Sequence, residues 1–599
     1  LESPATTPGA VVRRALGWLV TCTMLAAACG QSGSGVTTTT VAPSSTTVAP
    51  VTPTTPAPTT STTTTAPAVP QRGGTVVIAD DQEPRTLNPY MPGGDDAVVA
   101  VVGQAHLAGV YDIDPVTRAP IPELVTELPS VGNGGVVIND DGTMTVRWQI
   151  RDDAVWSDGE PVSGADFEFT LEFREGITEC AAIDDGFTVD FGEVESVGDK
   201  TFSFRFDEPG LKYEQLFPWI VPRHAVAGSD FCNDWNDQTW PAAGPFVLDE
   251  WGQHDHLRFV RNDNYWKVDP ATGSRLPYLD AVEFRFIPET EEIMHAFSRG
   301  EVDVIQPPPS PRTIAALEQM VPDGAGVQVV RGPVWEHLNF QFGPADRNPD
   351  SLNRFTAFRR AVAYAVDREV LAADVGWLPI SSIYPGQAGP WAQYTLDPAR
   401  AVELLGTACD LAGRDCAARP PRLIFSTTSN ADERPRIAEM LASMLGEIGI
   451  DVELQLEDSQ VFFGETLTRG TWDLGWWAWV RLPGASGRAA VLDLFDPDAP
   501  PPDGANYYRW GTPDSSVHDE AVEQIRSILQ QVRVAVDRDE VESLTQEAEQ
   551  ILADNAVVIP VAARLMVGAV WADEIAGYVM NPTQAGHTWN IEAWYRVDL

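Results

Sequence analysis

Positive charge is what this chain has least of: across 599 residues, 40 lysines and arginines face 86 aspartates and glutamates, a formal net charge of -46. A field of that sign repels phosphate backbones and anionic lipid surfaces, which excludes nucleic acid as a partner and suits a surface kept soluble outside the cell. Cysteine is scarce as well, six in all, and no Cys-x-x-Cys pair occurs, so no zinc site is expected. No apolar run reaches the roughly 20 residues that a membrane-spanning helix needs. The nucleophile elbow Gly-x-Ser-x-Gly, the phosphate loop, the dinucleotide fingerprint and His-Glu-x-x-His are all missing, which argues against the commonest hydrolase and nucleotide chemistries. Paired carboxylates abound in so acidic a chain and carry no information about glycosidase chemistry.

What is present begins with an address. Arg13 and Arg14 precede an apolar run over 16–28, and Ala26, Ala27 and Ala28 lead into Cys29. Together they read as a signal peptide over 1–28, its apolar core about 13 residues and too short to cross a bilayer. Leu-Ala-Ala-Ala-Cys-Gly resembles a bacterial lipobox, which implies lipidation of Cys29, with ordinary cleavage as the alternative. Residues 36–70 contain only Val, Thr, Ala, Pro and Ser, with neither charge nor aromatic surface to drive ordering. The segment 29–70 is therefore expected to be a tether, reaching up to roughly 100 Å at ~3.1 Å per residue.

The remainder is too long for one ordinary core, so two or more packed units are expected. The folded part begins near Gln71, with a buried strand over 75–79. Residues 143–150 alternate as a strand, Asp158-Gly159 is a turn, and Ser163-x-x-Asp166 caps a helix running to about Phe173. Further on, 423–426 reads as a strand. Pro435 lies early in a helix whose residues Ile437, Met440, Leu441, Met444, Leu445 and Ile448 share one face, and Gly449 ends it. Ile450, Val452, Leu454 and Leu456 then alternate with charged and polar neighbours as a half-buried strand. Strand, helix, strand is a βαβ unit and predicts an α/β architecture with parallel strands. Another helix is expected from about Phe355, with Phe358, Val362, Val366 and Val370 on its core side.

An ordered set of segments resembles the peptide- and nickel-type extracellular solute-binding proteins of ABC transporters. The set comprises Gly73-Gly74-Thr75, Glu83-Pro84-Arg85-Thr86-Leu87-Asn88-Pro89-Tyr90, Trp156-Ser157-Asp158-Gly159-Glu160-Pro161-Val162, and Gly244-Pro245-Phe246 with Arg261-Asn262-Asp263-Asn264-Tyr265-Trp266. It continues with Arg299-Gly300-Glu301-Val302-Asp303, then 358–368, then Gly449-Ile450-Asp451-Val452. The resemblance implies a two-lobed α/β clam-shell of the periplasmic-binding-protein type (type II). Lobe one would take 71–335 with an inserted sub-domain at about 115–240, lobe two 336–560, and 561–599 would return to lobe one. It also implies the function. The protein would be the exported solute-binding component of an ABC importer, a monomer without cofactor or metal, held by its lipid on the outer face of the cytoplasmic membrane. It would close on a small ligand, an oligopeptide or dipeptide, and deliver it to a permease and ATPase complex without making or breaking a bond. A sugar, metal chelate or carboxylate-bearing solute is the alternative within the family. A surface-display lipoprotein and a secreted hydrolase are the alternatives outside it.

The resemblance places Trp472-Asp473-Leu474-Gly475-Trp476-Trp477-Ala478-Trp479 along the ligand cleft, where aromatic rings accept varied side chains. Trp477 and Trp479 would share one strand face and Trp476 the other, and either face could meet ligand. Tyr90, Trp335 and Asn339 complete the expected lining. Where peptide-binding members carry an acid for the ligand's amino terminus, this chain has Leu482, preceded by Arg481. Arg481 would either hold a ligand carboxylate or face solvent. Disulfides are expected between Cys180 and Cys232 and between Cys409 and Cys416, each pair lying within one implied lobe. His254 and His256 have the spacing of a metal pair on a strand, but lie in a hairpin away from the implied cleft.

Overall fold

The computed structural model describes residues 70–597, apart from 95, 177–191, 344–350, 385–387 and 431–432. The signal peptide, Cys29, the tether and Cys180 lie outside the described residues. One mixed sheet of 11 strands runs through the molecule. Its order is Asp451–Glu457, Arg422–Thr428, Leu474–Val480, Ala325–Phe340, Val558–Trp571, Val304–Ile305, Thr75–Asp80, Ala281–Phe286, His256–Arg261 and Phe246–Gly252, with Leu378–Pro379 added beside Val558–Trp571.

Two strands serve both ends of this sheet. Ala325–Phe340 and Val558–Trp571 pair antiparallel, and Val304–Ile305 joins them near Val570 while Leu474–Val480 joins near Phe340. Between those ends the pairing slips: Arg331 faces Leu565 and Trp335 faces Ala563, so four steps on one strand answer two on the other. The surplus falls within Gly332-Pro333-Val334, which faces Arg564 alone. A glycine with no side chain to pack and a proline with no N–H cannot sustain a ladder, and there the pairing is interrupted before it resumes at Trp335.

The first lobe packs Val76, Ile78, Val102, Phe259 and Phe284 on one face of its half-sheet, and Phe297, Ile305 and Leu317 on the other. The second holds the βαβ unit expected from its periodicity. Arg422–Thr428 and Asp451–Glu457 are parallel neighbours, the helix Glu433–Glu447 between them buries Ile437, Leu441 and Leu445, and Gly449 turns the chain at φ +90°. The helix expected to run on to Val370 is instead two, Thr356–Ala365 and Arg368–Val375. Asp367 accepts the Val370 N–H at 3.0 Å and starts a new helix, which leaves Val370 48% exposed instead of in the core.

A four-stranded antiparallel sheet stands apart, in the order Val136–Ile138, Met144–Gln149, Thr201–Phe206 and Gly192–Val197. Helix Gly164–Gly176 covers it, with Phe167 4.9 Å from Phe217 and 5.7 Å from Phe202. Asp166, buried at the start of that helix, accepts from Ser163 N at 2.9 Å, Arg223 N at 2.9 Å and Trp156 Nε1 at 3.4 Å. The segment from Trp156 to Asp166 is thus a turn and a cap. Cys409 and Cys416 are joined by a disulfide; Cys232 is also disulfide-bonded, while its expected partner Cys180 lies outside the described residues. His254 sits in the turn between two strands at φ +66°, bonded to Glu83, and so does not share a strand face with His256. Among the described residues no cluster of three metal-ligating side chains occurs.

Just past the slip, Glu336 is fully buried. Its Oε1 accepts from Arg434 Nη2 at 3.2 Å and Arg564 Nε at 2.8 Å, and its Oε2 from Trp476 Nε1 at 2.8 Å. Burial works to raise the carboxyl pKa, but the two guanidinium charges outweigh it and hold the group below its ordinary value. Glu336→Gln, which leaves buried Arg434 without its counter-charge, should lower the unfolding free energy by about 3–5 kcal/mol. Trp476→Phe, which keeps both ion pairs, should cost about 1–3 kcal/mol. Urea unfolding followed by circular dichroism measures both.

Candidate functional site

Between the lobes lies a cavity of about 1360 Å³. Helix Ala97–His106 of the first lobe contributes Ala97, Val101 and Gln104, and the second lobe contributes Val375, Trp377, Val480, Leu482, Pro483 and Gly484. Gly332, Pro333 and Val334 form part of its wall together with Arg564, Leu565 and Met566 of the paired strand. The place where the pairing is interrupted is therefore itself a surface of the cavity.

Local structure fixes the polar side chains on the first-lobe wall. Asn262 donates through Nδ2 to Gly244 O at 2.9 Å and accepts Asn264 N at 3.0 Å, while Asn264 Nδ2 donates to Ser157 O at 2.8 Å. This pinned turn sets Tyr265 and Lys267 against the cavity. The Lys267 ammonium lies 3.1 Å from Glu123 and 2.6 Å from Glu592, and the Tyr265 hydroxyl donates to Glu123 at 3.3 Å. Burial acts against the charged lysine, but Glu592, Tyr265 and Glu123 outweigh it and hold the ammonium well above its ordinary pKa. Asp112 belongs to the same floor and accepts Ile113 N at 2.7 Å. Burial first, and the Glu123 charge second, push its carboxyl up to about 8.

Three indoles line the space, those of Trp219, Trp377 and Trp589. The Arg564 guanidinium lies 5.0 Å from the centre of the Trp377 ring, a cation–π contact.

The residues expected to line the cleft stand behind this surface, and none of them is among the residues that line the cavity. Tyr90 is buried and donates to Trp219 O at 2.9 Å, so it supports a lining residue. Trp335 is fully buried, its ring 4.3 Å from His337. Asn339 is buried, with Nδ2 donating to Gly475 O at 3.2 Å. Trp476 is spent on Glu336, Trp477 stacks on Tyr508 at 5.7 Å, and Trp479 donates to the Tyr508 hydroxyl at 3.2 Å. The reason is positional. Leu474–Val480 is an interior strand with both faces covered, so its alternation separates two cores rather than core from cleft. Arg481 does not face solvent: it is buried, and donates to Ile383 O at 2.7 Å and Ser382 O at 3.1 Å. Burial, with Arg118 and Arg331 adding to it, lowers its pKa to about 9.

The missed lining residues Asp112, Trp219, Trp377 and Glu592 come singly from distant segments. Tyr265 and Lys267 did have a signal, the asparagine-rich turn beside them.

The family model described as bacterial extracellular solute-binding proteins, family 5 Middle, matches residues 119–487. The oligopeptide-binding protein OppA of Mycobacterium tuberculosis is 24% identical over 444 residues, covering 68% of this chain and 69% of that protein. OppA of Bacillus subtilis is 23% identical over 453 residues, covering 70% and 76%. Among solved structures, the oligopeptide-binding protein AppA from Bacillus subtilis in complex with a nonapeptide has a TM-score of 0.60 at 17% identity, covering 88% of this chain and 100% of that one. NikA from Brucella suis in complex with Fe(III)-EDTA has a TM-score of 0.65 at 18% identity, covering 87% and 99%. These structures are like this chain in fold.

Removing Arg481 should therefore act on stability. Arg481→Met takes two charge-assisted donors from buried carbonyls and should lower the unfolding free energy by about 1.5–3 kcal/mol. Arg481→Lys should recover little of this, because an ammonium lacks the planar fork that serves both carbonyls. Urea denaturation of the two variants checks the pair.

Proposed function

The chain belongs to the bacterial extracellular solute-binding proteins of family 5, the solute-capturing components of ABC importers, and from that membership we propose that its ligand is an oligopeptide. The cavity carries this reading. Its volume of about 1360 Å³ exceeds the roughly 300–1,000 Å³ that encloses a drug-sized molecule, and its walls come from both lobes. A ligand that touches both walls favours the closed over the open arrangement by its contacts in the closed state alone. The slip at Gly332-Pro333-Val334 supports a hinge there, and a division into lobe one at 71–335 and 561–599 and lobe two at 336–560, with the four-stranded sheet as the inserted sub-domain at about 115–240. The names of the OppA relatives favour peptide over the other solutes of the family.

In the same reading, Cys29 carries the lipid and 29–70 is the tether, so the lobes work at the outer face of the cytoplasmic membrane beside the permease and ATPase. The protein binds and releases its ligand unchanged. Cavity residues such as Val480, Leu482 and Pro483 would touch the peptide, while the tryptophans behind them hold the strand end in place.

Adding tri- to pentapeptides to the purified protein should change its tryptophan fluorescence, because Trp219, Trp377 and Trp589 lie on the wall. Mono- and disaccharides should leave it unchanged. The opposite pattern, response to sugar and none to peptide, would overturn the peptide reading.

A further inference from the structure

We infer, on the reading that this cavity is the solute site, that its ligand is a cation whose positive group is received by Asp112 beside Glu123 and Glu592. The cavity defines the site; the charges on its wall decide what can fill it.

Among the described residues lining the cavity the cations are Lys267, Arg436 and Arg564, and each is engaged. Lys267 lies between Glu123 and Glu592, Arg436 is bonded to Asp374, and Arg564 is 2.7 Å from Glu336. Arg481 is turned away onto the carbonyls of Ile383 and Ser382. No wall cation is left to meet an anionic ligand.

The carboxylates divide differently. Asp96 is held by Arg85 at 2.9 Å, Glu214 by Arg538 at 2.5 Å, and Asp374 by Arg436, while Asp81 and Glu433 line the cavity away from Lys267 and add to its negative charge. On the floor, one ammonium faces three carboxyl groups, and Glu123 and Glu592 take it. Asp112 has the Ile113 N–H and no ion pair among the described residues. For a half-buried carboxylate with no counter-charge of its own, the ionised form is costly and an arriving cation is favoured. Leu482 carries no charge, so a ligand amine finds its partner on the floor around Asp112.

The empty cavity has another way to neutralise this carboxyl. The groups facing Asp112 are Glu123, Glu592 and Lys267, with the Tyr265 hydroxyl lying on Glu123. Burial and the two acids outweigh the lysine and push the carboxyl up to about 8, so at neutral pH it holds a proton. A bound cation favours the ionised form and expels that proton to solvent. Affinity for a cation should therefore rise with pH from 6 towards 8, level off above 8 for a cation that keeps its charge, and fall again for a peptide whose α-ammonium loses its proton near 8.

Calorimetric titration of the full chain tests this with three forms of one tripeptide: trialanine amide, its N-acetylated form, and N-acetyl-trialanine with a free carboxylate. Spermidine serves as a non-peptide cation. Trialanine amide should bind at least about tenfold more tightly than the neutral form at pH 7, the anionic form should bind most weakly, and only the cations should gain affinity between pH 6 and 7.5. Asp112→Asn should abolish both the preference among the three peptides and the pH dependence. Equal affinity for all three peptides, unchanged in Asp112→Asn, would overturn the charge inference and leave peptide binding intact. Asp112-dependent binding of spermidine with no peptide bound would support the charge inference and overturn the peptide reading. No binding by any of the four would overturn both.

Discussion

A carboxylate without exposure sits at Glu336 because two guanidinium groups and an indole N–H converge on it from three different elements. Arg434 comes from the helix of the βαβ unit, Trp476 from the interior strand, and Arg564 from the long return strand. Burying such charges costs several kcal/mol per ion, so the arrangement adds little net stability over well-packed apolar residues. What it supplies is register. Shifting any one strand by a residue would turn its side chain to the other face of the sheet and leave a bare charge in the core. With those strands locked, the residues just beyond them fall where the cavity needs them: Val480 and Leu482 at one strand end, Leu565 and Met566 beside the slip.

Much of this frame could be read from the residues alone. The helix stripe from Ile437 to Ile448 and the alternation from Ile450 to Leu456 each report a single local period, and both elements formed within a residue or two of expectation. The family motifs were equally readable, because Asp158-Gly159, Asp166 and Asn262 act locally as turns and caps. The first two for that reason speak about fold alone, whereas the turn at Asn262 also sets Tyr265 and Lys267 against the cavity. Val370 misled because its spacing from Val366 fits a helix, whereas the Asp367 side chain between them competes for the backbone N–H groups and begins another.

The cleft was far less legible. Period-two alternation tells which tryptophans share a face but not whether that face is covered, and in an interior strand both are. Asp112, Trp219, Lys267, Trp377 and Glu592 meet only after the chain has crossed between lobes, so no spacing links them. Arg481, expected to hold a ligand carboxylate or to face solvent, is buried. Its fate is set by Ser382 and Ile383, almost a hundred residues earlier.

Gly332, Pro333 and Val334 line the cavity and also interrupt the two strands that join the lobes. If the lobes turn there, as proposed, the fulcrum would be a surface that the ligand presses on. A wedge set against a fulcrum limits the angle of the arms, and a small change there becomes a large displacement at their tips. A ligand that fits the walls but is too bulky at the back would be held with the lobes apart. A permease that touches only the tips would then measure the size of a cargo it has not yet met.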